Sequence, residues 1–342
     1  MSPLVSISIP AYNAEKTIAA TIRSLLGQTY INFEIRVFDN ASTDETIKIV
    51  ESFDDNRISI RVAEHTSDAE TNLTRCLQSG QGHYTAIYHA DDVYASTIIE
   101  KEVAFLEAHE DAGGVLTFAT LIDRAGTAHK TFLAPSCLDM KSNDAGLFDA
   151  VTLFKGVLKN GNFLFCPSAM IRTPVCLNTL KTWRGNLFKS SADLDVWLRI
   201  ADNSSLGLIN EPLLFYRISD TQWTAAYSKT RTHRAHFFLV LDYWIKKPNI
   251  SAALNQQDIE NHQKLKIRED MALTLNHLRQ NNPHKAKALS ETKVRLLKFT
   301  KLGSVMDVKV LVFGLILKSM LFPLVGNILR KILIPRLDNV RL

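Results

Sequence analysis

The sequence predicts an α/β fold: a mixed, mainly parallel sheet flanked by helices, followed by a C-terminal helical extension. Three observations predict it. Short runs with strand-like alternation recur over residues 4–122 and are separated by helical stretches of about 10–15 residues, the pattern of βαβ units. Pro10, Asp39 and Asp91 each fall at the end of such a run, where open α/β sheets bind their ligands. From about residue 226 the pattern is helical alone.

LVSISI at 4–9 alternates apolar and small polar residues as a strand does, and Pro10 stops it. Asn13 can cap the following helix, which carries Ile18, Ile22, Leu25 and Leu26 at helical spacing. EIRVF at 34–38 is a second strand, and Ser42 with Glu45 reads as a capping box for a helix bearing Ile47 and Val50. RISIRVA at 57–63 alternates again, and a helix through Leu73, Cys76 and Leu77 stops at Gly80 and Gly82. Tyr84, Ala86, Ile87 and Tyr88 form a strand ending at His89-Ala90-Asp91-Asp92. A helix over 97–109 and the strand GVLTFATLI at 114–122 close the series.

Residues 123–146 read as an irregular excursion, followed by a helix near 147–158 and a strand near 163–172. SSADLDVWLRIA at 190–201 places Leu194, Trp197, Leu198 and Ala201 on one helical face, so Trp197, like Trp183, reads as core. LGLINEPLLFYRIS at 206–219 holds a strand pair or a strand with a turn.

The chain has 342 residues, 46% hydrophobic and 22% charged, enough for one large domain or about two with a sizeable core. Cys76, Cys137, Cys166 and Cys176 form no CxxC pair and no zinc spacing; they are expected as reduced thiols in a cytosolic protein. MSPLVSISIPAYN lacks the basic leader and long apolar run of a signal peptide.

The net charge of +5 conceals a division: residues 229–342 hold 21 Lys+Arg against 8 Asp+Glu, and residues 1–228 hold 19 against 27. A basic back half suits nucleic acid or an anionic membrane. Its aromatic residues are not interleaved with the basic ones for base stacking, which disfavours nucleic acid. In 308–335, the uncharged run 310–317 ends after eight residues at Lys318, short of the about 20 that a spanning helix needs. Gly314, Pro323 and Gly326 break the segment, and Lys309, Lys318, Arg330, Lys331 and Arg336 punctuate it. Met320, Leu321, Phe322 and Leu324 add apolar surface. The expectation is helices lying in a membrane interface, with the protein cytoplasmic and peripheral on the inner face; a helical cap or a dimer interface is the alternative, and oligomeric state stays open.

Two adjacent carboxylates at a strand end repel each other unless a positive group offsets the cost. A divalent cation is the usual partner, and Mg2+ or Mn2+ bound by one or two carboxylates completes its shell with phosphate oxygens. Asp91 and Asp92 therefore point to a metal–diphosphate, with a plain acidic loop cap as the alternative.

PAYNAEKTIAATIRSLLGQTYINFEIRVFDNASTDET at 10–46 resembles the N-terminal signature of family 2 glycosyltransferases, of the bacterial surface-polysaccharide type. The likeness continues through NLTRCLQSGQGHYTAIYHADD, GNFLFCPSAMIR at 161–172, SADLDVWLRIA at 191–201 and YRISDTQWT at 216–224, covering about residues 3–225. It implies the GT-A fold and inverting transfer of a sugar from a nucleotide-diphosphate sugar, UDP-linked by preference, to a glycan or lipid-linked glycan acceptor in cell-surface polysaccharide or lipopolysaccharide synthesis. It also implies a catalytic domain at 1–225, split into a nucleotide-sugar half at 1–122 and an acceptor half at 123–225; the helical, basic extension at 226–342, read above as membrane-associating, lies outside the likeness.

The implied donor site is Pro10, Ala11, Tyr12, Asn13, Asp39, Arg75, His89, Asp91 and Asp92. Tyr12 stacks on the base and Asp39 accepts from a uracil N–H, or caps a turn. Arg75 meets base or phosphate, or lies on a solvated helix face. Asp91 and Asp92 take the ribose and a Mn2+ or Mg2+ cofactor. His89 stands where the family often has another Asp and either contacts ribose or packs at the strand end. Ser219 stands where the family often has a His, which puts a third protein ligand in doubt. Asp193 is the general base, with Asp195 as its neighbour and alternative; about 200° apart on a helix, they do not share a face. Arg217 and Trp223 are weaker candidates for diphosphate or acceptor. A nucleotidyltransferase would want a Gly-rich basic loop, and PAYNAEK has no glycine. A GT-A-fold scaffold without chemistry is the remaining alternative, with His89 and Ser219 in its favour.

Overall fold

The structure, a computed structural model, describes residues 2–218, 230–291, 314–316 and 319–320. The chain divides into two compact units, Met1–Ser219 with Leu239–Ala253, and Asp220–Phe238 with Leu254–Leu342.

The first unit is built on one sheet. β1 (Val5–Ala11), β2 (Phe33–Asp39), β3 (Ile58–Val62) and β4 (Tyr84–Ile87) are parallel, in the order β3-β2-β1-β4. Between them run α1 (Ile18–Leu26), α2 (Thr46–Glu51) and α3 (Ala69–Gln78). β5 (Val93–Tyr94) and α4 (Ile98–Ala108) lead to β6 (Ala112–Ile122). The sheet then turns mixed: β9 (Ala169–Arg172) is antiparallel to both β4 and β6, and β10 (Ser205–Arg217) is parallel to β6.

β1 shows how tertiary context changes a pattern. Its serines alternate with apolar residues, yet Ser6 and Ser8 are fully buried because both faces of the sheet are covered. Burial is tolerated because the hydroxyls are bonded: Ser6 donates to Glu34 at 2.7 Å and accepts Gly82 N–H at 2.9 Å, and Ser8 lies 3.2 Å from the Ser79 hydroxyl. The strand runs through Pro10 to Ala11; pairing with β4 has stopped at Ser8, so that side of the ladder asks nothing of the missing proline N–H.

Two expected caps are absent. α1 starts at Ile18 with Thr17 at its N-cap and no side-chain cap, and α2 starts at Thr46 behind Glu45. Asn13 and Ser42 are engaged elsewhere, as described below. Residues 123–146 are more ordered than expected, contributing β7 (Ala128–Thr131) on β6, a 3-10 turn at Ser136–Leu138 and the start of β8 (Ala145–Phe148) on β10. β10 is one strand of 13 residues, and the turn suggested by Asn210-Glu211-Pro212 is a register shift between Ile209 and Pro212, where proline interrupts the ladder.

Between residues 150 and 203 lie α5 (Ala150–Asn160), α6 (Gly185–Phe188) and α7 (Ala192–Asn203). Trp183 and Trp197 are buried and pack edge to face at 5.9 Å between centroids, as core residues. Trp244, from the helix Phe237–Trp244, is fully buried and donates its indole N–H to Asp195 at 3.0 Å.

In the second unit, Asn255 and Asp258 form a reciprocal capping box for the helix Gln256–Arg279. The Arg231 guanidinium pairs with Glu269 through both carboxylate oxygens, both side chains nearly enclosed. Among the described residues, no helix is long and apolar enough to cross a membrane. The segment 308–335, expected to lie in a membrane interface, is outside the described residues apart from 314–316 and 319–320.

Candidate active site

The carboxyl ends of β1, β2 and β4 open on one edge of the sheet, and the loops 12–17, 40–45 and 88–92 leave from there. The first two are laced together. Asn13 N–H donates to Ser42 Oγ and Thr43 N–H donates back to Asn13 Oδ1, both at 2.9 Å. Asn13 does so at a positive φ of 49°, which asparagine tolerates. Ala14 N–H donates to the Thr46 hydroxyl at 2.7 Å, and Glu15 N–H to Asp44 at 3.1 Å. Ala11 is buried, and its carbonyl accepts Asn40 N–H at 2.9 Å.

Asp39 is fully buried at the end of β2, and its carboxylate accepts the backbone N–H of Ser42 at 2.8 Å and its hydroxyl at 2.5 Å. Tyr12, 52% exposed, presents its ring to solvent beside this loop. Arg75 is not a solvated side chain. It donates to Asn72 Oδ1 at 2.9 Å and to the Arg61 carbonyl at 3.0 Å, with its guanidinium 5.6 Å from the Phe38 ring centroid. It latches α3 to the ends of β2 and β3.

The third loop carries the acidic pair, and three elements grip it. The Thr21 hydroxyl of α1 is shared between the carbonyls of Ala90 at 3.0 Å and Asp92 at 2.7 Å. His89 N–H donates to the Tyr94 phenol at 2.7 Å. Arg217, at the end of β10, donates its backbone N–H to Asp92 Oδ1 and its Nε to the Asp91 carbonyl, both at 2.8 Å. Its Nη1 reaches the carbonyls of Asp123 and Arg124 at 2.9 and 3.0 Å. Arg217 thus holds the acidic turn in shape through backbone oxygens.

Beneath the loop, Tyr88 stacks on Tyr94 at 4.2 Å and donates to the fully buried Glu102 at 2.5 Å. Burial, then the neighbouring Tyr88 hydrogen bond acting against it, leaves the Glu102 carboxyl well above the usual carboxylate range.

Asp92 is 1% exposed, and its Oδ2 is buried without a hydrogen-bond partner. Burial first and the charge of Asp91 second push its carboxyl far up, against the lowering effect of the Arg217 N–H and guanidinium. One donor atom each from His89, Asp91 and Asp92 lies within 4.8 Å of the others. A carboxylate with one orphaned oxygen, belonging to a three-donor cluster, is an arrangement that a divalent cation fits.

Two carboxylates at the start of α7 have opposite fates. Asp195 is fully buried and spent on structure: it accepts from Arg199 Nε at 2.8 Å and from the Trp244 indole, with Arg184 at 3.7 Å. Asp193 is partly exposed, hydrogen-bonded by the Leu194 N–H and the Asn162 side chain. Desolvation outweighs those bonds, with help from the charge of Glu70, and raises its carboxyl to about 6. The charges of Asp193 and Asp92 both bear on the Cys166 thiol and the Tyr216 phenol, so these two side chains lie near both carboxylates. Burial is the first cause of the raised pKa in each.

Thr21, Tyr94, Asn162, Cys166 and Tyr216 were not singled out from sequence. A buried threonine between Ile18 and Ile22 was the one available signal; the others are joined to the site only by the fold. Ser219 and Trp223 lie outside the described residues.

Comparison with known proteins agrees with this architecture. EpsE of Bacillus subtilis is 29% identical over 209 residues, 60% of this chain and 69% of that one. The Escherichia coli UDP-Glc:alpha-D-GlcNAc-diphosphoundecaprenol beta-1,3-glucosyltransferase WfgD is 37% identical over 103 residues, 30% of this chain and 41% of that one. The match therefore spans less than half of WfgD's length. Among solved structures, the mannosyltransferase PcManGT from Pyrobaculum calidifontis in complex with GDP-Man and Mn2+ superposes with a TM-score of 0.54 at 16% identity, covering 99% of this chain and 87% of that one. That likeness establishes the fold, which is of the GT-A type. The family model for glycosyl transferase family 2 matches residues 6–148, the span that holds the laced loops and the acidic turn, and over that span the chain is similar to that family.

Proposed function

We propose that this protein is an inverting glycosyltransferase that moves a sugar from a nucleoside diphosphate sugar, UDP-linked by preference, to a lipid-linked or polysaccharide acceptor of the cell surface. The observation that carries the reading is the gathering of Asp39, Asp91 and Asp92 on one edge of the sheet, with the Asp92 Oδ2 buried and unbonded. The UDP-glucose and diphosphoundecaprenol in the name of WfgD support the donor and acceptor classes. The Mn2+ bound to PcManGT supports a divalent cation.

Asp91 and Asp92 would hold that cation, which when bound offsets charge on the diphosphate leaving group. Tyr12 offers an exposed ring for the base, and Asp39, at the floor of the laced loops, offers a carboxylate oxygen to the uracil N–H. Asp193 accepts the acceptor hydroxyl's proton as that oxygen attacks the anomeric carbon. A carboxyl raised to about 6 is a stronger base than an ordinary aspartate and is still mostly ionised at neutral pH. Arg217 keeps the acidic turn in register rather than meeting the substrate.

Calorimetric titration of UDP with and without Mn2+, with GDP as control, tests the reading. Metal-dependent UDP binding that disappears in Asp91→Ala/Asp92→Ala is expected; no binding of either nucleotide in the presence of metal moves the protein to the scaffold class. The basic, apolar tail is the proposed contact with the inner face of the membrane. Deleting residues 303–342 is expected to release the protein from anionic vesicles, and undiminished co-sedimentation would refute that contact.

A further inference from the structure

We propose that His89 is a third ligand at the cation site, so that the site is a mixed nitrogen–oxygen set and prefers a first-row transition ion such as Mn2+ over Mg2+. The inference rests on the metal-dependent reading above and concerns a residue for which the sequence left only ribose contact or packing.

Three features of the fold support it. The donor atoms of His89, Asp91 and Asp92 are mutually within 4.8 Å. Two ligands about 2.2 Å from one ion are at most about 4.4 Å apart, so the cluster is already near coordination spacing. Asp92 Oδ2 has no hydrogen-bond partner and is enclosed, which leaves a carboxyl oxygen that the protein itself does not satisfy. Finally, His89 is held in place before any ligand arrives. Its backbone N–H is fixed by Tyr94 at 2.7 Å, and its Nε2 lies 3.7 Å from Cys166 Sγ, a contact that orients the imidazole.

The chemistry of the donors then decides the ion. Mg2+ takes oxygen ligands and keeps its water; imidazole suits the transition metals, whose affinities rise along the first row. An aspartate at position 89 would leave an all-oxygen site with no such preference.

Mn2+ electron paramagnetic resonance on the full chain tests this, with and without UDP. The native protein is expected to bind Mn2+ and show nitrogen-14 modulation in pulsed spectra. His89→Asp is expected to keep Mn2+ bound, lose the nitrogen signal, and reduce the Mn2+-over-Mg2+ preference by about tenfold, measured by Mg2+ competition. His89→Ala should lose the signal and bind Mn2+ more weakly. Bound Mn2+ without nitrogen coupling, or with coupling that persists in both variants, overturns the role of His89 and leaves the metal–nucleotide reading intact. No Mn2+ binding with or without UDP overturns both.

Discussion

The loops after β1 and β2 and the elements around α7 place their carboxylates in different ways. Loops 12–17 and 40–45 hold each other through short polar side chains, and Asp39 is bonded twice within its own turn. The contacts between the two loops span 29 and 30 residues, while those of Asp39 stay within one turn. Asp193 sits on a helix near Cys166, Tyr216 and Asn162, which arrive from other parts of the chain. Desolvation raises its carboxyl. Asp193 and Asp195 sharpen the lesson: two residues apart, Asp195 is surrounded by Arg199, Trp244 and Arg184 and serves the core, and Asp193 is partly exposed with a raised carboxyl.

The largest expected effect separates those two aspartates by function. Asp193→Asn should lower kcat by about 10²–10⁴-fold, the range for loss of a general base, with UDP affinity nearly unchanged. Equal loss of turnover and nucleotide binding would make Asp193 structural and erase the contrast. Next in size is a stability effect. Arg199→Leu removes the partner of a buried carboxylate and should cost about 3–5 kcal/mol, read as a lower denaturation midpoint. A variant with native stability would mean that Trp244 and Arg184 suffice to hold Asp195.

The smallest effect is on pH dependence. Asp193 must be ionised to accept a proton, and its carboxyl is raised to about 6, so activity is retained above that value and lost below it. At saturating donor and metal, kcat should fall by about tenfold per pH unit below 6. An acid limb near the ordinary aspartate value would show that the substrate complex rehydrates the site, or that another group is the base.

Much of the first half of the sheet was legible because its signals are local. The alternating runs located its parallel strands within a few residues, and the acidic pair falls in the turn after β4 as expected. The misreadings also have local causes. Asn13 and Ser42 have the composition of helix caps, but the Ser42 hydroxyl accepts the Asn13 backbone N–H and the Asn13 side chain accepts the Thr43 N–H, so neither caps α1 or α2. Nothing in the sequence brought Arg217 to Asp92, because that contact depends on β10 lying parallel to β6 beside β5.

The sequence by itself determined the α/β class, the order of the strands along the chain and the identity of the acidic residues at their ends. Periodicity and turn chemistry act over a few residues, and a linear reading captures them. Tertiary structure alone decided which polar groups are desolvated and which are satisfied. It left Asp92 with an unbonded oxygen, gave Asp195 to the core and raised Asp193. Burial and charge proximity depend on elements far apart in sequence, and those quantities set the reactivity of a carboxylate.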